Sequence, residues 1–201
     1  VSSGATANAA NISSFTATSS TTNSGTANLT AASGGGTINM SSAGGSGSYN
    51  LIGGAGIDTL TGDGGNDTFT VSSGGDANSD TLDGGAGSDS IQLSTGSHAL
   101  TNNSKISNIE TILAHSGGST VDLTNQTEAF TITGDAAVDT LKGGSGADII
   151  AGNGGNDIIT GGAGNDSLTG NAGNDRFNVD TGTDTVTDLA TGDDLVVSSG
   201  A

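Results

Sequence analysis

The chain lacks most of the residues from which a thick globular core is built. It has no tryptophan, one tyrosine and four phenylalanines among 201 residues. Proline is also absent, which suits long runs of hydrogen bonds between strands, because proline has no N–H to donate. Cysteine is absent, so disulfide bonds have no part in the structure. These absences favour a thin, repetitive core.

Basic residues are equally scarce. Three lysines and arginines stand against 21 acidic residues, and the net charge is −18. Nucleic acid is not an expected partner, since phosphate binding needs clustered basic side chains. An anionic membrane surface is disfavoured for the same reason, and no apolar run of 18 residues predicts direct membrane insertion. Cations are the expected partners. The polar start at Val1, without an initiator methionine, indicates a fragment or processed product.

What the chain does have is glycine and a strict spacing of aspartate. From residue 139 onwards an aspartate stands at every ninth position, in the series Asp139, Asp148, Asp157, Asp166, Asp175, Asp184 and Asp193. Two positions after each comes an apolar residue: Leu141, Ile150, Ile159, Leu168, Phe177, Val186 and Leu195. A glycine-rich turn precedes most of the aspartates, as in residues 143–148. A fixed period of this kind predicts a solenoid.

The repeat divides the chain into four predicted segments. Residues 1–50 are rich in Ser, Thr, Ala and Gly, and are either a flexible linker or an irregular start of the solenoid. Residues 51–92 are a first repeat block with a slip in phase at residues 72–79, and residues 93–133 are a spacer whose alternating apolar residues predict strands. Residues 134–195 are the second repeat block. No helical period persists. The aspartates of the first block are Asp58, Asp67, Asp80 and Asp89.

Two nonapeptides are expected to form one coil of the solenoid, meaning one full circuit of the chain. Each nonapeptide splits into a six-residue turn and a three-residue strand, whose middle residue points inward. The inward residues then stack in two sheets, with Leu141, Ile159, Phe177 and Leu195 in one, and Ile150, Leu168 and Val186 in the other. The aspartates divide between two edges in the same way. Asp139, Asp157, Asp175 and Asp193 belong to one edge, and Asp148, Asp166 and Asp184 to the other.

Stacked columns of aspartate predict bound calcium. Coils lie about 4.8 Å apart, and carboxylates this close repel one another unless a cation neutralises them. Calcium suits best because it takes six to eight oxygen ligands in flexible geometry, whereas magnesium requires a strict octahedron. We expect several ions, held by the eleven aspartates named above and by backbone carbonyls of turn glycines whose positive φ aims them inward. The glycines predicted to act in this way are Gly144, Gly146, Gly162 and Gly164.

Residues 143–178 closely resemble the RTX, or haemolysin-type calcium-binding, repeat, and the resemblance extends over residues 53–92 and 134–178. It implies an all-β, right-handed parallel β-roll or β-solenoid of nonapeptides with an irregular β spacer. It also implies one-step (type I) secretion and folding outside the cell. The spacer segment 106–112, in a Cys-free chain rich in Ser, Thr and Ala, looks like bacterial surface-layer (S-layer) proteins.

These features predict an extracellular structural protein that folds on calcium at the bacterial cell surface. Its partner would be itself, in a homopolymer, a lattice or a filament. The alternative is a calcium-dependent folding and secretion module of a larger adhesin, toxin or enzyme. We do not expect an enzyme, because the two histidines, His98 and His115, lie in polar surroundings without a HExxH motif, and no GxSxG frame is present.

Overall fold

A computed structural model describes residues 6–71, 78–94 and 96–198. These residues form 23 strands and no helix, so the predicted all-β class is confirmed for them. It follows that no membrane-spanning helix is found in the described part of the chain. Most of the predicted phase slip, at residues 72–77, lies outside the described residues.

The strands are short and follow one another at close intervals. The first twelve are β1 (Thr6–Ile12), β2 (Ser14–Thr16), β3 (Thr22–Asn23), β4 (Thr26–Ala31), β5 (Thr37–Asn39), β6 (Gly44–Gly45), β7 (Ser48–Ile52), β8 (Thr59–Thr61), β9 (Thr68–Val71), β10 (Thr81–Asp83), β11 (Ser90–Leu93) and β12 (Gly96–Ala99). The others are β13 (Ile106–Ser107), β14 (Thr111–Leu113), β15 (Ser119–Asp122), β16 (Thr131–Thr133), β17 (Thr140–Lys142), β18 (Ile149–Gly154), β19 (Ile158–Thr160), β20 (Ser167–Ala172), β21 (Arg176–Val179), β22 (Thr185–Val186) and β23 (Asp194–Val197).

The chain divides into two compact units. Unit 1 comprises Val1–Gln92 and Ser104–Glu110, and unit 2 comprises Leu93–Asn103 and Thr111–Ala201. In unit 1 the strands pair in the orders β1-β4-β7-β9-β11 and β2-β5-β8-β10-β13, with a small sheet of β3 and β6. Residues 6–50 therefore carry strands of the same winding as the first repeat block. Paired positions in unit 1 are mostly 22 residues apart.

Unit 2 has a more regular winding. Its strands pair in parallel in the orders β14-β16-β18-β20-β22 and β12-β15-β17-β19-β21-β23. From β16 and β17 onwards the partners are 18 residues apart, as in the aspartate pairs that hydrogen-bond from coil to coil. Two nonapeptides therefore make one coil in this region, and the predicted parallel β-solenoid is confirmed.

The core of unit 2 consists of two rows of apolar side chains. Leu141 pairs with Ile159, and Ile159 with Phe177, and all three are fully buried. The other row runs through Ile150 and Leu168, which are also fully buried. Both rows follow the predicted stacking. The first row ends at Leu195, which pairs with Phe177 but is 42% exposed, because β23 is the last strand of its sheet and no further described strand covers it.

Because each coil contributes only one large side chain to a row, a single truncation in the row should be costly. Ile159→Ala removes the contact of this residue with the coil on each side, and we expect it to lower the free energy of unfolding by about 2–5 kcal/mol. Denaturant unfolding in saturating calcium would measure the loss. Ile158→Ala is the matched control, because Ile158 faces outward and is 40% exposed; its cost should be about 0.5 kcal/mol or less. Equal losses would contradict a core one side chain thick.

Candidate metal centre

The aspartates of unit 2 that recur at every ninth position, called here the repeat aspartates, form two hydrogen-bonded columns. The backbone N–H of Asp139 donates to Oδ1 of Asp157 at 2.8 Å, and that of Asp157 donates to Oδ1 of Asp175 at 2.8 Å. Asp175 continues the column by donating to Asp193 at 2.9 Å. The second column runs in the same way through Asp148, Asp166 and Asp184, with distances of 2.8 and 3.1 Å. The predicted division between two edges is confirmed.

One edge of unit 1 has a shorter column. The N–H of Gly36 donates to Oδ1 of Asp58 at 2.7 Å, and the N–H of Asp58 donates to Oδ1 of Asp80 at 2.9 Å. The partners are 22 residues apart, so the two hydrogen bonds of this edge join coils that are longer than the 18-residue coils of unit 2. The column arrangement therefore does not depend on a strict nine-residue period.

The other edge of unit 1 contains two residues that sequence reasoning missed. The N–H of Tyr49 donates to Asp67 Oδ1, and the N–H of Asp67 donates to Asp89 Oδ1, both at 2.7 Å. The N–H of Asp89 in turn donates to Oε2 of Glu110 at 2.7 Å. Tyr49 therefore begins this column and Glu110 ends it. The available signal was Glu110 standing two residues before the apolar Ile112, which is the repeat pattern with glutamate in place of aspartate.

Nine of the eleven aspartates predicted as ligands are almost completely buried. Their exposed fractions are 0–2% for Asp58, Asp67, Asp80, Asp89, Asp139, Asp148, Asp157, Asp166 and Asp175. Asp184 and Asp193, which end the two columns of unit 2, are partly exposed. An ionised carboxylate is costly to bury unless hydrogen bonds or a cation compensate for the lost water. The loss of hydration therefore has to be compensated at nine buried carboxylates.

At several of these aspartates, part of that compensation comes from the preceding turn. The N–H group four residues earlier donates to the second carboxylate oxygen, as from Gly144 to Asp148 Oδ2 at 2.8 Å and from Gly54 to Asp58 Oδ2 at 3.0 Å. Each such turn wraps its own carboxylate, while the first oxygen accepts from the preceding coil. Local sequence and stacking thus fix the carboxylate from two directions.

In several turns the first glycine leaves space for two oxygen atoms. At Gly134 a Cβ would stand 2.6 Å from Asp139 Oδ2 and 2.5 Å from the carbonyl oxygen of Gly152, which belongs to the next coil. At Gly143 a Cβ would collide in the same way with Asp148 Oδ2 and the carbonyl of Gly161. A carboxylate oxygen and a carbonyl oxygen therefore converge on the space that a Cβ of the glycine would fill, which is called here the cradle. Sequence reasoning missed these first-position carbonyls, because a period does not tell which way a carbonyl points.

The four glycines predicted as ligands lie in the turns before Asp148 and Asp166. Gly162 and Gly164 have positive φ values of 99° and 132°, as expected for inward-aimed turns. Gly144 and Gly146 do not have positive φ. The prediction that a positive φ explains the glycine is therefore wrong for these two residues. They are glycine because a Cβ would collide with carbonyl oxygens of the preceding coil. The carbonyl of Gly144 accepts a hydrogen bond from Ala163 at 2.9 Å.

Comparison with known families agrees with this geometry. The model of the RTX calcium-binding nonapeptide repeat matches the chain four times, at residues 44–77, 74–97, 131–159 and 152–186. The matches cover more than half of the chain. The chain belongs to the RTX calcium-binding repeat family. The matched segments of this RTX chain contain every predicted aspartate except Asp193. No curated protein matches the chain at a significant level.

RTX repeats bind calcium, and the donor set of this RTX chain fits that ion. Oδ2 of Asp89, Asp157 and Asp166 is buried without a hydrogen-bond partner. Among the described residues no three acidic, histidine or cysteine side chains converge on a common point. A site here therefore has to combine carboxylate with backbone carbonyl oxygens. Calcium accepts such mixed oxygen ligands readily.

Burial also changes the acidity of the aspartates in the columns of both units. It raises the pKa of Asp67, Asp89, Asp157 and Asp166 to about 6, although backbone N–H donors oppose the rise and neighbouring carboxylates add to it. Burial is also the main cause of the raised pKa of Asp139 and Asp148. Without a cation, these carboxylates are thus driven towards their neutral form. A divalent ion would hold them ionised.

Proposed function

We propose that this RTX chain is an extracellular structural protein that folds when it binds calcium and then assembles with copies of itself into a surface layer or filament. The observation that carries the calcium-dependent folding is the set of buried carboxylate oxygens without a partner, on Asp89, Asp157 and Asp166. In the unfolded chain these oxygens are hydrated, whereas in the folded chain they need a cation. The free energy of calcium binding therefore contributes directly to the free energy of folding.

The proposed ligands are the carboxylates of the eleven aspartates predicted from the sequence. Turn carbonyls complete the sites: Gly144, Gly146, Gly162 and Gly164 as predicted, together with the first-position glycines such as Gly152 and Gly161, whose carbonyls face the carboxylates. The bound ion supplies positive charge between coils. The chain's own contribution is to exclude water and to hold each carboxylate with a backbone N–H donor of the preceding coil.

Self-assembly is supported by the open end of unit 2. Leu189, Leu195 and Val197 are 52%, 42% and 64% exposed. A cavity of about 440 Å³ there is lined by Val179, Val186, Leu189 and Leu195, together with Gly182, Thr183 and Asp184. The adjacent strands β22 and β23 are the last of their sheets. A free strand edge beside exposed apolar side chains is a template for another strand. A second copy stacked on this end would cover both.

The alternative is a calcium-dependent folding and secretion module of a larger type I-secreted adhesin, toxin or enzyme. The same open end favours it, because further coils of a longer chain would cover Leu189 and Leu195 equally well. RTX repeats are a structural, calcium-binding type of domain, and we do not propose catalysis. His98 is buried with Nε2 at 2.8 Å from the carbonyl oxygen of Ser94, which is a structural contact.

An extracellular location is compatible with the affinity expected of such sites. RTX repeat proteins are typically secreted, and extracellular calcium modules bind at about 10⁻⁴ to 10⁻³ M. A chain with sites of that strength stays unfolded where calcium is scarce and folds where it is abundant. We propose the bacterial cell surface as its place of assembly.

The test is a calcium titration followed by far-UV circular dichroism, sedimentation velocity and negative-stain electron microscopy. We expect β-structure to appear with calcium but not with the same concentration of magnesium, and fibres or lattices to follow. Leu195→Lys should fold with calcium but assemble less, because it places a charge on the exposed end. Calcium-dependent folding into a stable monomer would favour the secretion module instead. A chain fully folded in chelator would contradict both.

A further inference from the structure

The first coils of unit 1 differ from the rest of the chain in charge. Residues 1–57 contain no aspartate, glutamate, lysine, arginine or histidine, so the whole net charge of −18 belongs to residues 58–201. The end of unit 2, taken here as residues 176–198, has one basic residue, Arg176, and five aspartates: Asp180, Asp184, Asp188, Asp193 and Asp194. Because like charges repel, two copies of this acidic end repel each other, whereas the uncharged first coils repel neither themselves nor the acidic end.

The start of unit 1, meaning strands β1 and β2, exposes an aromatic side chain of the core. Phe15 on β2 pairs with Ile38, which pairs in turn with Leu60. Ile38 and Leu60 are buried, whereas Phe15 is 38% exposed. The reason is that β2 is the last strand of its sheet, so no further described strand covers it. Phe15 is thus a core residue that lacks a neighbouring coil on one side.

The end of unit 2 has room for such a side chain. Its cavity of about 440 Å³ lies where the core row ends at Leu195, on the last strand β23. The lining consists of Val179, Val186, Leu189 and Leu195, together with Gly182, Thr183 and Asp184. Clefts of about 300–1,000 Å³ hold bound ligands in other proteins, so a phenyl ring fits. The four aliphatic side chains offer Phe15 the apolar contact that its own coil lacks.

We propose that Phe15 of one copy enters the cavity at the end of unit 2 of a second copy, and that strand β2 then lies beside strand β23 of that copy. The inference rests on the proposed self-assembly and assigns the two surfaces that carry it. Phe15 and Leu195, each the half-exposed last member of its core row, cover each other in this contact. Because the contact joins two different surfaces, every added copy brings a free surface of each kind, and the contact repeats from copy to copy.

The last strand of unit 2 has backbone groups placed for this contact. In β23 the N–H of Asp194 donates to the carbonyl of Asp175 at 2.8 Å, and the N–H of Ser198 donates to the carbonyl of Val179 at 3.0 Å. Neighbouring residues of a strand in a parallel sheet direct their backbone groups to opposite edges. The N–H and the carbonyl of Leu195 therefore face the edge that no described strand covers.

Strand β2 supplies the backbone groups that meet them. The carbonyl of Ser13 accepts a hydrogen bond from β5 at 3.1 Å, so the residues that face the opposite edge of β2 are Ser14 and Thr16. Placing Phe15 opposite Leu195 gives the register that joins the coils within each unit. The N–H of Leu195 then meets the carbonyl of Ser14, and the N–H of Thr16 meets the carbonyl of Leu195.

Strand direction also favours contact between two different ends. β2 pairs in parallel with β5, and β23 pairs in parallel with β21. A second copy stacked in the same orientation continues this parallel pairing, whereas a copy turned over presents its strands in the opposite direction. Turning over has a further cost at each end. Two ends of unit 2 bring their aspartates together, and two starts of unit 1 leave the cavity unfilled.

The experiment blocks one surface at a time with Phe15→Asp and Leu195→Asp. Both changes introduce the same charge, so the two changed surfaces cannot attract each other. In saturating calcium, sedimentation velocity should show each variant by itself as a monomer at concentrations where the unchanged chain assembles. We expect the contact to weaken at least roughly thirtyfold, which corresponds to the loss of about 2 kcal/mol for a buried aromatic anchor at about 1.4 kcal/mol per factor of ten.

An equal mixture of the two variants tests the pairing of the surfaces. The unchanged end of unit 2 on Phe15→Asp meets the unchanged start of unit 1 on Leu195→Asp, so we expect heterodimers that grow no further. Ile57→Asp is the matched control, because it places the same charge on an exposed residue in a turn of unit 1; it should assemble as the unchanged chain does. Circular dichroism in calcium checks the folding of each variant, and Phe15→Ala replaces Phe15→Asp if the latter does not fold.

The outcomes separate this inference from the function on which it rests. Heterodimers in the mixture, with monomers of each variant alone, support it. If Phe15→Asp assembles as the unchanged chain does, Phe15 is not the anchor, although self-assembly stands. Dimers of Phe15→Asp alone show that two ends of unit 2 pair, and dimers of Leu195→Asp alone show that two starts of unit 1 pair; either result overturns the inference. An unchanged chain that folds with calcium and stays monomeric overturns both this inference and the proposed self-assembly.

Discussion

Gly143→Ala is expected to abolish the calcium site on Asp148 and to destabilise unit 2. An alanine Cβ would stand where Asp148 Oδ2 and the carbonyl of Gly161 converge, and one of the two oxygens must move. The backbone of Gly143 has no positive φ, so alanine is allowed there and only space is lost. Overpacking of this kind costs about 1–3 kcal/mol, and the loss of a calcium ion adds to it. Denaturant unfolding in calcium and calorimetric counting of bound ions would measure both.

Gly154→Ala is the matched control for this change. Gly154 is the last residue of β18 in unit 2 and also lacks a positive φ, but a Cβ there would meet its nearest atom, Ala136 Cα, at an ordinary 3.5 Å. Its stability and its calcium stoichiometry should equal those of the unchanged chain. If Gly143→Ala and Gly154→Ala behaved alike, the cradle between carboxylate and carbonyl would not be the place where the ion binds.

In a chelator, lowering the pH from about 7 to about 5 is expected to increase the folded fraction. Asp67, Asp89, Asp157 and Asp166 have pKa values near 6 in the folded chain, whereas an unfolded aspartate titrates near 3.9. The folded state therefore binds more protons than the unfolded state between these values. Stability then rises as the pH falls through 6 and the gain is complete below about 4. Circular dichroism in chelator would follow it.

Calcium should reverse this dependence. Protons compete with the ion for the same carboxylates, so acid weakens calcium binding and removes the stability that it supplies. Asp157→Asn should flatten the slope in chelator, because one titrating group is lost. Asp194→Asn is the control, since Asp194 is exposed and its carboxylate lies 3.9 Å from Arg176 rather than in a column. A chelated chain that loses β-structure on acidification would refute the proposed cause.

The strict period allowed the most regular part of the molecule to be predicted. Leu141, Ile159 and Phe177 stack because 18 residues bring the same side chain back to the same place, and this follows from the sequence spacing alone. Glu110 and Tyr49 escaped prediction because neither is an aspartate and because the coils of unit 1 vary in length. Their place in a column depends on a backbone N–H meeting a carboxylate of the next coil. For Glu110 the trace in the sequence is its place two residues before Ile112, where the other repeats have aspartate.

The column hydrogen bonds all run one way along the chain. The N–H of Asp139 needs the carboxylate of Asp157, and the N–H of Asp157 needs that of Asp175, so each coil is completed by the coil that follows it. The solenoid thus has a chemical polarity as well as a sequence direction. Cutting it after any coil leaves a row of unpaired donors on one face, and cutting it before a coil leaves unpaired acceptors. Two such cut faces are complementary to each other, and neither is complementary to itself.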